Sequence, residues 1–554
     1  MRERWVKDPG KGTRWRDFDL RAALGFPDIY RVGMANLGFL WVYHLLNSRQ
    51  EVRCDRFFDA DRQLKYGERL CAHETGRALS EYDVAAFSMP YEGGYQALPK
   101  MLILGGIEPV AAKRRGGPLV IAGGVAVSAN PEPIADFIDI AVIGEAEPVL
   151  DPLIDLLIAA VSETRRGPAK RSRLDAIRPE LRNLDGVYLP SDYRHVYGIG
   201  GALEAIEAAD GAPARVTAAR ADLISVAAHS PIITDESVFP NRFLVEASRG
   251  CPYRCRFCLA SHTSGNFREA GGLVETVAEG LAVTPKIGVI GTAFTRASNL
   301  KAICGLAAEA GGNVSFSSVR MDAGALKLLA DIAPALDLES IAAAPEVATE
   351  RLSRVIGKDA LKDLDAFVAA RPLPGLKRLR LYFLIGVPGE ENTDVAAIAD
   401  VAKEIRKRSG WEILCSVTPM IPKPFTPMQW APFAAADVLR RRKELLKKEL
   451  SGVKGVALKV ESLRLSNEQA ILARGDRRLG PVLLEAAEQM SRGGEKISLS
   501  QSLKSHGQEA NQAARRERAE NEALPWEILF HGVSRAHLYK EYKKAIEEAR
   551  SKKT

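Results

Sequence analysis

FLVEASRGCPYRCRFC (243–258) decides how this chain is read. Phe243 to Arg249 is a short, mostly apolar run of strand length, and Gly250 punctuates its end. Three cysteines follow within eight residues: Cys251, Cys255 and Cys258. The loop after a strand is where α/β barrels place their chemistry. Three thiolates from one such loop can ligate three irons of a [4Fe–4S] cluster and leave the fourth iron open. Zinc is the rival, and a structural zinc takes four protein ligands, so His262, four residues beyond Cys258, would have to be the fourth. Inert thiols are the third reading.

Strand candidates continue after this loop at 286–292, 313–319, 339–344, 378–386 and 412–420. Helical spacing lies between them, near 273–283, 297–309, 324–333, 347–371 and 393–408. Six strand–helix units predict a (β/α) barrel, complete or partial, over 241–432. Ahead of it, VAAFSM (84–89), PLVIAGG (118–124) and DIAVIG (139–144) read as buried strands, and 92–106 and 148–161 as helices. That alternation predicts an α/β, doubly wound, Rossmann-like domain over 1–161. The basic connector TRRGPAKRSR opens a stretch, 162–240, read as a linker with a small β element. The remainder, 433–554, reads as a helical region with a basic helix at 439–448 and a polar linker at 490–523.

Composition limits the function. A chain of 554 residues is too long for one core, and its seven cysteines are too few and too uneven for a disulfide scaffold. No apolar run reaches the roughly 18 residues of a membrane span, and the N-terminus lacks the apolar core of a signal peptide, so a cytoplasmic protein is expected. The net charge of +7 is mild and does not by itself indicate nucleic acid, although the basic helix could touch it. Cys54, Cys71, Cys304 and Cys415 are scattered singly, which limits the chain to one cluster.

The CxxxCxΦC pattern, with Phe257 before the last cysteine, resembles the signature of the radical S-adenosylmethionine (SAM) superfamily. The resemblance implies a (β/α)6-type partial TIM barrel. It also implies a cluster whose open iron binds the methionine part of SAM, and reductive cleavage to a 5′-deoxyadenosyl radical. It makes Phe257, Gly291, Thr292, Ser317, Arg320, Glu346, Ile385 and Gly386 the candidate SAM contacts. Gly291-Thr292-Ala293 keeps only the first glycine of the family's Gly-Gly-Glu turn, and Ser317, Ser318 and Arg320 stand where ribose contacts are expected. A reducing partner such as flavodoxin or ferredoxin is implied as well.

A doubly wound domain before such a barrel is similar to the cobalamin-binding domains of the B12-dependent branch. FPDIYRVGMANLGF (26–39), PLVIAGGVAVSANPEP (118–133), IGEAEP (143–148), FLIGVPGEE (383–391), PKPFTPMQW (422–430) and ARGDRR (473–478) resemble a poorly characterised family of B12-binding-domain radical SAM proteins. That makes cobalamin the tentative third cofactor, with Ser88, Gly123, Gly124, Gly144 and Glu145 as its contacts, and methyl transfer to an unactivated carbon the favoured reaction. The B12 signature Asp-x-His-x-x-Gly is missing from the loop Pro27 to Gly38; Cys71-Ala-His73-Glu-Thr-Gly76 keeps half of it, and is read as coincidence. The alternatives are radical chemistry without cobalamin, such as cyclisation, C–C bond formation or tRNA modification, and a non-catalytic iron–sulfur carrier or sensor. Arg351, Arg354 and Lys358 share a helix face and are candidates for an anionic ligand, or form a solvated stripe.

Overall fold

The computed structural model describes residues 3–6, 15–59, 68–164, 171–199, 201–224, 227–292, 298–316, 319–320, 322–333, 336, 339–371, 373, 375–491, 499–505 and 514–551. The front unit is a six-stranded sheet of β1 (Leu20–Phe26), β2 (Val52–Phe58), β3 (Val84–Ser88), β4 (Leu119–Gly123), β5 (Ile140–Val142) and β6 (Val187–Tyr188), in the spatial order β2-β1-β3-β4-β5-β6. The first five run parallel and β6 closes the edge antiparallel to β5. Alternate residues feed two cores. Leu20, Ala22, Leu24, Val84 and Ile121 pack with helices α1 (Leu37–Ser48) and α2 (Glu147–Thr164), whereas Ala23, Ala85, Phe87 and Val120 share a core with Leu98, Met101 and Leu102. A sheet buried on both faces is why β3, β4 and β5 read as continuous apolar runs; β1 and β2, the latter with Arg53, Asp55 and Arg56, were not singled out. The strand order reverses between β1 and β3, and open α/β sheets bind ligands beyond the strand ends at such a point.

The second unit has seven parallel strands. β7 (Phe243–Arg249), β8 (Lys286–Gly291) and β9 (Asn313–Phe316) form one sheet, edged by the antiparallel pair Arg268–Glu269. β10 (Ser340–Glu346), β11 (Arg378–Ile385), β12 (Glu412–Pro419) and β13 (Val456–Val460) form the other. The sheets meet where the Val319 amide donates to the Ala342 carbonyl at 3.0 Å.

Two stretches differ from the sequence reading. The expected linker holds a helix, Arg171–Arg182, that packs on α2, and it supplies β6. The expected helical region supplies β13, whose half-buried VALKV alternation between two helices is too short to stand out. Within 490–523, Leu499–Ser505 is helical, with Leu499 and Leu503 buried. Among the described residues, no helix is long and apolar enough to cross a membrane.

Candidate functional site

β7 delivers the cysteine loop at its C-terminal end. Cys251 and Cys255 are buried and Cys258 is partly exposed; all three thiols are free. The loop is pinned by its backbone: the Cys258 amide donates to the Cys255 carbonyl at 3.1 Å, and the Thr292 hydroxyl donates to the Gly250 carbonyl. Arg254 is held at φ +53°, a left-handed conformation uncommon for a side-chain-bearing residue. Among the described residues no three His, Cys, Asp or Glu side chains gather as ligands of one ion. His262 is buried against the loop, with Nε2 3.0 Å from the Cys255 carbonyl. Three thiolates from one loop are the donor set a [4Fe–4S] cluster takes, one for each of three irons, whereas a structural zinc takes four protein ligands. Burial pushes the Cys255 thiol up to about 12, so bare it stays protonated; iron would draw it to thiolate.

Next to this loop, Glu346 ends β10 at φ +70° after a break in register, and its carboxylate meets Lys358 Nζ at 2.8 Å. Burial raises the Glu346 pKa, opposed by the Lys358 charge. The Arg256 amide, inside the loop, donates to the Ile356 carbonyl at 2.9 Å, which brings the segment leading to Lys358 against the loop. The Arg320 guanidinium stacks 3.9 Å over the ring of Tyr253, and Tyr253 donates its hydroxyl to Asp322 at 3.1 Å. Phe257 packs partly buried against the core. Ser317, Ser318 and Ala293 lie outside the described residues. Ile385 is fully buried, and Gly386 lines a separate cavity of ≈ 370 Å³ with Glu390, Arg442 and Tyr542, its amide donating to Glu390 at 2.8 Å.

A larger cavity, ≈ 680 Å³, runs between the two units. From the front sheet it is lined by Ser88, Gly123, Gly124, Gly144 and Glu145, and from the second unit by Gly291 and Thr292. One end is an apolar slot between the sheet face (Ala22, Leu24, Ala86) and helix α2 (Leu153, Leu157). Gly124 (φ +106°) and Gly144 (φ +100°) bring backbone to backbone here: a Cβ would stand 2.7 Å from the Met89 oxygen at one and 2.4 Å from the Ala219 oxygen at the other. Glu145 anchors the mouth through Arg268 (2.5 Å), Arg249 (3.2 Å) and the Ala221 amide (2.8 Å). Glu147 binds Arg249 (2.6 Å) and accepts from the Trp41 indole (3.0 Å), so the IGEAEP stretch ties the front unit to β7.

Sequence reasoning did not single out Trp41, Arg249 or His531, which also line this cavity. His531 comes from the far end of the chain and is buried, with Nε2 2.8 Å from the Ser128 carbonyl. Burial lowers its pKa to about 4, so the ring is neutral and Nε2 carries the donated hydrogen. His73, by contrast, stacks on Tyr30 at 5.0 Å and lies 3.4 Å from Glu3, away from the cavity lining. Arg351 and Arg354 are engaged too: Arg351 pairs with Asp394, and Arg354 binds Glu548 at 3.2 Å. ARGDRR is a scaffold. Arg477 binds Glu132 at 2.6 Å, Arg478 pairs with Asp476 at 2.7 Å, and Asn130 donates to the Ala473 and Gly475 carbonyls at 3.1 and 2.8 Å.

Residues 38–190 match the family model described as "Radical SAM proteins, N-terminal". The match falls on the front unit, ahead of the cysteine loop whose pattern resembles the same superfamily. It is 26% identical over 415 residues to the uncharacterized protein MJ0966 of Methanocaldococcus jannaschii, covering 73% of this chain and 80% of that one. Among solved structures it is similar to OxsB, described as a cobalamin-dependent S-adenosylmethionine radical enzyme (14% identity, TM-score 0.43, 80% of this chain and 58% of that one). It is also similar to Streptococcus suis SuiB bound to S-adenosylmethionine (16%, TM-score 0.30, 41% and 52%). The chain thus spans a little over half the length of each solved protein.

Proposed function

We propose that this protein is a radical SAM enzyme whose cysteine loop holds one [4Fe–4S] cluster and whose front sheet holds cobalamin, and that it methylates an unactivated carbon. The observation that carries this reading is the shared cavity. Loops from the strand ends of a doubly wound sheet and the turn after β8, hydrogen-bonded to the cysteine loop, open into one space. When bound, the cluster and SAM supply a 5′-deoxyadenosyl radical for hydrogen abstraction, and cobalamin supplies a transferable methyl group.

Cys251, Cys255 and Cys258 would hold the iron, and Glu346 and Lys358 would orient polar groups of SAM beside them. Gly291 and Thr292 face the cavity from β8, as an amino-group contact requires. The glycine backbones at 123, 124 and 144 let a large planar ligand approach the sheet edge, and the apolar slot suits the flat end of its nucleotide tail. The loop from Pro27 to Gly38 after β1 contains no histidine, so cobalamin would be held without a histidine from that loop. Burial between two units excludes water from a radical. A one-electron donor, flavodoxin or ferredoxin, would dock outside.

The test is anaerobic reconstitution with iron and sulfide, then dithionite and SAM. The full-length protein should release 5′-deoxyadenosine, and Cys255→Ala should not. Offered hydroxocobalamin, the wild type should acquire a stoichiometric visible band. Deoxyadenosine without that band would favour the cobalamin-independent reaction; neither signal would favour the non-catalytic carrier.

A further inference from the structure

We propose that the C-terminal helix, α4 (Arg535–Arg550), forms part of the cluster-holding apparatus by clamping the cysteine loop through Arg256 and Glu541. The inference rests on the cluster reading above, and Arg256 and Glu541 are positioning residues in it. Arg256 stands between Cys255 and Cys258, and all its polar groups are engaged outside the loop. Its amide donates to the Ile356 carbonyl at 2.9 Å, and its own carbonyl accepts from Met428 at 3.2 Å. Nη1 caps helix α3 (Glu350–Ile356) by donating to the Arg354 carbonyl at 2.6 Å and the Val355 carbonyl at 3.3 Å. Nε and Nη2 reach the Glu541 carboxylate at 3.2 and 3.1 Å. A cation at a helix C-terminus is favoured by the exposed carbonyls and the dipole.

Helix α4 is built to meet this loop. Leu538, Tyr542 and Ala545 form its buried stripe, and Trp430 packs against Tyr539 at 5.0 Å. Glu541 and Glu548, seven residues apart, lie on one flank and bind Arg256 and Arg354 respectively, while Arg351 donates to the Ala549 carbonyl at 3.3 Å. The Arg256 and Glu541 side chains are only 13% and 21% exposed, so water screens this pair less than an open surface pair. The same α3 leads into Lys358, which pairs with Glu346 at 2.8 Å. Helix, loop and Glu346 therefore share one support. Without Glu541, the loop loses a restraint between two of its ligands, and the Arg256 charge is uncompensated near the iron.

The experiment uses the full-length protein carrying a reconstituted cluster. Glu541→Gln should lose iron to a chelator on the order of fivefold faster than wild type, the scale of one partly screened ion pair. Its cluster midpoint potential should also rise, because an uncompensated cation favours the reduced, more negative state. Glu541→Asp should restore both properties. Glu548→Gln, which unties the same helix from Arg354, should retain iron like the wild type. Iron loss from Glu541→Gln at the wild-type rate overturns the proposal. So does equal loss from Glu548→Gln, which would reduce the effect to helix docking in general. A wild type that takes up no cluster overturns the cluster reading, and the clamp with it.

Discussion

At the residue scale, Gly124 and His531 carry the sharpest expectations. Gly124→Ala places a Cβ against the Met89 backbone in a left-handed conformation, and the Met89 carbonyl already accepts from the Ala126 amide. The substitution should cost about 1–3 kcal/mol of stability and weaken hydroxocobalamin binding, read by thermal melting and by visible titration. His531 links stability to pH. Its folded pKa near 4 lies below the ordinary 6.5, so the unfolded chain takes up a proton first as the solution is acidified. Stability from this group is full above pH 6.5 and falls toward pH 4, by at most about 1.4 kcal/mol per pH unit. Glu390, raised to about 7 by burial, opposes that slope between pH 7 and 4.5. Denaturant midpoints of wild type and His531→Gln across pH 4 to 7 should therefore converge toward the acid end. Midpoints that stay parallel would contradict the assignment.

At the scale of elements, the segment after β4 does more than shape a cavity. Asn130, just past the Gly123-Gly124 turn, donates both amide hydrogens to carbonyls around Gly475. Asn130→Ala leaves the Ala473 and Gly475 carbonyls without that donor in a buried setting, at a cost of about 1–3 kcal/mol. Chemical denaturation should show that loss, while chelator-resistant iron should stay at the wild-type level because Asn130 is not among the groups supporting the cysteine loop. The ARGDRR stretch thus has a structural reason in the inter-unit contact. Arg351 and Arg354 likewise meet carboxylates, Asp394 and Glu548; their common helix face was legible, and the carboxylates that meet it were not.

At the scale of the whole molecule, the cavity between the units is the feature on which the proposed chemistry depends. Its slot is floored by small residues, Ala22 and Ala86, on a sheet face otherwise filled by larger apolar side chains. Ala86→Trp should fill the slot and weaken hydroxocobalamin binding at least about tenfold, a change of about 1.4 kcal/mol. Iron uptake by the cysteine loop should persist, which separates a blocked slot from a misfolded chain. Equal affinity in the two proteins would place the tail of the cofactor elsewhere.

The strands from β7 to β12 and the cysteine loop were legible because each is local: apolar runs, turn residues and thiol spacing lie within a few neighbours. The front cavity contacts were legible for a related reason, since small residues at strand ends mark close backbone approach. What neighbours in sequence cannot show is which distant group meets which. β13 joins a sheet begun over a hundred residues earlier, His531 reaches a cavity formed mainly by residues before 293, and Glu541 holds a loop 285 positions away. Gly386, read as a SAM contact, lines a cavity of its own with Glu390 and the C-terminal helix, which sequence neighbours do not reveal. The sequence alone determined the order of the strands from β7 to β12 and the thiol donor set. Only tertiary packing decided the supports around that site, because burial and ion pairing depend on distance in space.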